Sequence, residues 1–157
     1  SYGINIYLEY KNFDLTMFWQ GVQGVDIISD LKKETDLWSG LNIGFLNKGK
    51  RVLDAWSPAN PGSDIPALAR NDSNNEKRVS TYYVENGSFL KLRNLQVGYN
   101  VPKAWAEKIR MERLRFYLSA QNLLTIKSKD FTGVDPENVN YGYPIPLNIT
   151  FGVNVSF

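Results

Sequence analysis

Apolar and aromatic side chains recur at every second position in five separate stretches of this chain. A period of two is the mark of a β-strand with one apolar face. In Tyr2–Tyr10 the even positions Tyr2, Ile4, Ile6, Leu8 and Tyr10 alternate with Gly3, Asn5, Tyr7 and Glu9. Past a two-residue Lys11–Asn12 turn, Phe13, Leu15, Met17 and Trp19 alternate with Asp14, Thr16, Phe18 and Gln20. Ser88–Val101 sets Leu95, Val97, Tyr99 and Val101 against Asn94, Gln96, Gly98 and Asn100. In the fourth stretch Leu114, Phe116, Leu118, Ala120 and Leu124 oppose Arg115, Tyr117, Ser119, Gln121 and Thr125. The last is the cleanest, with Ile149, Phe151, Val153, Val155 and Phe157 opposing Asn148, Thr150, Gly152, Asn154 and Ser156. The expected fold is all-β and antiparallel.

One stretch breaks its own rhythm. Lys91 and Arg93 share a parity with Leu95 and Val97, so the apolar face turns charged at one end. A bulge there would shift the register; equally, the strand could rise out of an apolar layer into water. The connections are also unequal. Two residues join the first pair of strands, and Pro102–Arg113 joins the third to the fourth, with a short helix expected over Lys103–Arg110 after Pro102. The segments 21–87 and 127–146 are long and rich in Gly, Pro, Asn and Asp. Within the first of them Arg51–Trp56 reads as a helical turn, Leu41–Phe45 alternates weakly, and Glu85–Asn86–Gly87 has hairpin-turn chemistry. Short, long, short, long is the rhythm of an outer-membrane barrel, with periplasmic turns on one side and larger extracellular loops on the other.

Lipid and a protein core impose the same alternation on a strand, so composition has to decide between them. No run of about 18 apolar residues exists, which excludes a transmembrane helix but not a barrel strand. Aromatics make up 13% of the 157 residues, and Tyr2, Tyr10, Phe13, Tyr99 and Phe157 sit at strand ends, where interfacial girdles belong. The faces opposite are mostly Asn, Gln, Thr, Ser, Gly and Tyr, as a barrel lumen requires. The alternatives are a soluble β-sandwich that binds carbohydrate through loop aromatics, or a small closed barrel of about eight strands. Zero Cys and zero His remove disulfides, thiolate metal sites and the commonest general base. A net charge of +2 offers no basic face for nucleic acid.

The longest recognisable motif is Tyr83–Pro102, YVENGSFLKLRNLQVGYNVP, followed by LRFYLSAQNL at Leu114–Leu123 and FGVNVSF at Phe151–Phe157. Upstream stand YLEYKNFDLTMFWQGVQ at Tyr7–Gln23 and DAWSPANPGSDIP at Asp54–Pro66. Together they resemble the C-terminal part of SusC-like TonB-dependent transporters of Bacteroidetes-type outer membranes. The resemblance implies a transmembrane β-barrel segment, about five strands of a barrel of about 22. On this reading residues 1–157 are the C-terminal wall, with extracellular loops at 21–87 and 127–146. It further implies nutrient import across the outer membrane, of oligomeric glycans or peptides. The implied partners are a SusD-like surface lipoprotein, the TonB complex acting through a plug region, the remaining barrel strands and outer-membrane lipid. No enzymatic activity and no cofactor are expected.

Trp38, Trp56, Tyr82, Tyr83, Tyr141 and Tyr143 are the loop aromatics that could contact substrate or partner, by stacking on sugars or packing on protein. Packing of the loops on one another is the competing use for them. Asp26, Asp30 and Asp36 lie in one loop without an evident acid–base partner, and Asp72, Asn74 and Glu76 only faintly echo a calcium loop. The Lys103–Arg110 stretch reads as a solvated turn. Phe157, a terminal aromatic on the apolar face, is the expected assembly signal.

Overall fold

A computed structural model describes residues 1–37, 47–69, 75–139 and 143–157. Among these the chain forms strands β1 (Tyr2–Tyr10), β2 (Phe13–Val22), β3 (Asp26–Ile28), β4 (Val84–Asn86), β5 (Phe89–Asn100), β6 (Arg113–Lys127) and β7 (Asn148–Ser156). Two short helices, α1 (Asp30–Asp36) and α2 (Lys103–Lys108), and 3₁₀ turns at Lys50–Asp54 and Thr81–Tyr83 complete it. The chain falls into two compact units.

The first unit holds Ser1–Gly24, Ser88–Ser128 and Ile145–Phe157. It is a five-stranded antiparallel sheet in the order β1-β2-β5-β6-β7. All five strands coincide with the five alternating stretches. The only other sheet among the described residues is the β3–β4 pair, three residues each. Among the described residues the strands form neither a two-layer sandwich nor a closed eight-stranded barrel: β1 and β7 stand as the edges of one open sheet.

Alternation within each strand becomes continuous rows across the sheet because the register aligns like with like. Tyr10, Phe13, Tyr99, Phe116 and Val153 form one apolar row, and Leu8, Leu15, Val97, Leu118 and Phe151 the next. Within the first of these, the Phe13 and Tyr99 ring centroids lie 4.8 Å apart. These rows are not a core. Tyr10 is 71% exposed and Phe151 68% exposed, a contiguous apolar surface of a kind that a water-soluble chain does not leave bare.

A bulge accounts for Lys91 and Arg93. The register shifts between Phe18/Trp19 on β2 and between Leu92/Asn94 on β5. On β6 the same level holds Asn122, whose φ of 56° lies in the left-handed region. Below the bulge Leu90 and Leu92 pair with Ile126 and Leu124 on the apolar side. Lys91 meanwhile pairs with Gln20 and Thr125, on the polar side. Arg93 Nε donates to Gln20 Oε1 at 2.8 Å. No emergence into water is needed to explain the charges.

Glycines on the polar face make room for large neighbours. A Cβ at Gly152 would overlap the Tyr117 ring, and one at Gly98 would overlap the Asp14 carboxylate and the Arg115 guanidinium. Gly152→Ala should therefore destabilise the sheet by about 1–3 kcal/mol, as overpacking does. Denaturant unfolding should show that loss, and adding Tyr117→Ala to the same chain should remove most of it.

The second unit holds Val25–Gly87 and Lys129–Pro144, so the two long connections pack as one body. Its interior contains Leu37, Tyr83 and Phe131 beside the buried polar groups Glu34, Asp36, Glu85 and Asp135. Helix α1 starts at Ser29, whose Oγ accepts from the Lys32 amide at 3.2 Å. Residues 85–86, expected to turn, are extended instead. Asn86 and Glu85 pair with Asp26 and Ile27, and the Gly87 amide donates to the Val25 carbonyl at 2.9 Å. A local turn signal yields here to pairing with a strand some sixty positions earlier in the chain. The expected helical turn at Arg51–Trp56 is the 3₁₀ turn Lys50–Asp54. Leu41–Phe45, Asp72 and Asn74 lie outside the described residues.

Candidate functional site

The polar face of the sheet carries an ordered network. Asp14 on β2 accepts from Arg115 on β6 through both oxygens, at 2.5 Å from Nη2 and 3.0 Å from Nε. Asn100 Nδ2 adds a third bond to Asp14 at 3.1 Å. This bidentate fork spans β5, and it fits only because Gly98 lies between the two strands. The Arg115 guanidinium also stands 5.5 Å from the Tyr117 ring. Tyr7 donates to Glu9 at 3.0 Å, and Ser119 donates to Asn94 at 3.2 Å. The face is thus lined with Asn, Gln, Ser, Thr and Tyr groups, held in place by charge-assisted bonds. Such a surface can hydrogen-bond polar solutes or a packed polar domain.

In the second unit the aromatics divide by role. Tyr83 is buried, and its hydroxyl donates to the Glu76 carbonyl at 2.5 Å. Tyr82 meets it edge-on at 5.2 Å and donates to Asp36 Oδ2 at 2.7 Å. The same oxygen lies 3.4 Å from Arg51 Nε. Partial burial, and then the bond to Asp36, push the Tyr82 phenol above its ordinary pKa. Lys32 Nζ sits 4.1 Å over the Tyr82 ring and donates to the Tyr82 carbonyl at 2.5 Å. Burial, with Arg51 adding, lowers the Lys32 pKa, while Glu85 and Asp36 oppose the shift. Glu85 ties the two long segments together, accepting from the Thr132 amide at 3.0 Å and its hydroxyl at 2.8 Å.

Tyr82 and Tyr83 therefore serve the packing of the loops. Among the described aromatics of the second unit, Trp56 and Tyr143 are exposed, Tyr143 at 97%. Trp56 rides on a self-bonded segment. Its amide donates to the Ile65 carbonyl at 2.8 Å, Asn60 Nδ2 donates to the Asp54 carbonyl at 3.1 Å, and Ser57 bridges Asn60. The ring is held out by backbone bonds rather than by burial. Trp38 and Tyr141 lie outside the described residues. The Asp36–Arg51–Tyr82–Lys32 cluster joins side chains that no sequence motif pairs. Nothing in sequence spacing couples α1 to residues fifteen and fifty positions away.

No protein-family model matches the chain. Three curated relatives do, among them TonB-dependent receptor P3 of Formosa agariphila, 36% identical over 99% of the chain. TonB-dependent receptor P26 of the same organism is 34% identical over 99% of the chain. Among solved structures, the RagAB peptide transporter aligns with a TM-score of 0.76 at 29% identity. The RagAB peptide importer in its closed-closed state gives 0.80, also at 29%. Both alignments cover 99% of this chain and 17% of theirs. The chain spans 16% and 17% of the length of the two curated relatives. Over nearly its whole length the chain is thus similar in sequence to a segment of TonB-dependent receptors, and its antiparallel sheet is similar to part of a transporter barrel.

Proposed function

We propose that this chain forms the C-terminal wall of a SusC-like, TonB-dependent importer in the outer membrane. Its apolar face meets lipid and its polar face lines the lumen. The observation that carries this reading is the exposed apolar surface on one side of a sheet whose other side is polar and internally bonded. A nonpolar solvent stabilises such a face, and an open sheet must gain strands at both edges to exist in lipid. In this reading residues 21–87 and 127–146 are extracellular, and Trp56, Trp38, Tyr141 and Tyr143 meet a SusD-like lipoprotein or the incoming solute. The solute is an oligomeric nutrient, and the likeness to a peptide transporter favours an oligopeptide over a glycan. TonB supplies energy through the plug region.

Uptake by cells carrying the full-length protein tests the reading. Labelled oligopeptides should accumulate only when TonB is present, and a lipoprotein should co-purify with the transporter. Accumulation that persists without TonB would contradict it. Phe157 adds a prediction on assembly. It follows Val153 and Val155 in parity on the apolar face, just past β7. Phe157→Asp should sharply lower the amount of folded protein in the outer membrane, whereas Asn154→Ser on the opposite face should leave it near normal. Equal levels for the two would remove the assembly role.

A further inference from the structure

The connection between β5 and β6 leaves the sheet at the same end as the Lys11–Asn12 turn, since the Asn100 amide donates to the Asn12 carbonyl at 2.8 Å. That end lies just past the row Tyr10, Phe13, Tyr99 and Phe116. Helix α2 therefore begins where the aromatic band stops. Ala106 on α2 is fully buried, while Trp105 is 64% exposed and Ile109 at its C-cap 53% exposed. Leaving large apolar groups in water next to an aromatic band needs an explanation.

The direction of α2 supplies it. Lys103 lines an open hollow of about 540 Å³ with Glu9, Asn100 and Arg113, all residues of the polar face or its rim. At about 100° per residue, Trp105 and Ile109 lie on the arc opposite Lys103 and Glu107. They point away from that hollow and its polar rim. Lys108, which ends α2, is exposed on the flank of that arc. An aromatic–aliphatic pair flanked by a cation is the composition of a segment lying in the headgroup layer, with the rings at the acyl boundary and the ammonium at the phosphates.

We infer that α2 is a membrane-surface anchor: Trp105 and Ile109 insert at the lipid interface, and Lys108 binds anionic phospholipid headgroups. The inference rests on the proposal that the sheet is a barrel wall in lipid. It replaces the expectation of a solvated turn with a seated one, continuous with the aromatic row. Through it the β5–β6 connection fixes the height of the wall in the bilayer.

The test uses the full-length protein, labelled with fluorotryptophan and placed in nanodiscs containing phosphatidylglycerol. Trp105→Phe and Trp19→Phe assign the two fluorine resonances by their disappearance. Spin-labelled lipid should broaden the Trp105 resonance several-fold more than a water-soluble gadolinium chelate does. Trp19, in the apolar rows, serves as the control for the wall itself. If lipid broadens Trp19 while the chelate broadens Trp105, the anchor is refuted and the barrel wall stands. If lipid broadens neither, the wall reading itself fails. Lys108→Gln should reduce the phosphatidylglycerol retained by the purified protein relative to phosphatidylcholine, and unchanged retention would refute the headgroup contact.

Discussion

Asp14→Ala in the full-length protein should destabilise the wall by about 3–5 kcal/mol, the loss expected when one partner of a buried ion pair is removed. The carboxylate takes three hydrogen bonds, two of them from Arg115. Its removal strands a guanidinium whose side chain is largely buried. Loss of the charged partner, rather than loss of bulk, causes the effect. The double change Asp14→Asn with Arg115→Gln should therefore cost much less than the sum of the single changes. Denaturant unfolding in lipid, or the temperature at which the folded form is lost on a gel, reads the difference. Strict additivity of the two single changes would show that the pair is not coupled.

Tyr83→Ala should loosen the second unit by a similar amount, about 3–5 kcal/mol for deleting a buried aromatic. Tyr83→Phe removes the hydroxyl that bonds the Glu76 carbonyl and should cost about 1 kcal/mol. The readout is proteolysis from the cell exterior. Cleavage within residues 25–87 should rise strongly for Tyr83→Ala and little for Tyr83→Phe, while the strands stay resistant. Trp56→Ala and Tyr143→Ala, at exposed rings, should leave protease resistance unchanged, and under the proposed function should weaken association with a lipoprotein partner. Increased cleavage in Trp56→Ala would instead assign Trp56 to packing.

The five-stranded sheet was legible because each strand carries its own period and neighbouring strands carry the same one. Leu8 opposite Leu15 follows from parity and the two-residue turn, whereas Leu15 opposite Val97 joins strands that the long 21–87 segment separates. The bulge was legible only as a conflict, since Lys91 and Arg93 broke parity without revealing whether register or environment gave way. The three-residue strands β3 and β4 were not legible, because three residues carry no period and their partners are far apart in the chain. For the same reason, Tyr83 and Trp56 looked alike as loop aromatics. Burial separates them, and it depends on long-range packing around Asp36, Arg51 and Glu85 that no local pattern encodes.

In the proposed barrel wall, alternate residues of one sheet meet two different solvents. Single cysteines at Thr150, Phe151, Gly152, Val153, Asn154 and Val155 of the full-length protein, spin-labelled in lipid vesicles, measure this directly. Accessibility to oxygen, which partitions into lipid, should peak at Phe151, Val153 and Val155. Accessibility to a water-soluble nickel chelate should peak at Thr150, Gly152 and Asn154. A period of two with these phases is the predicted result; an absent or inverted alternation would contradict it.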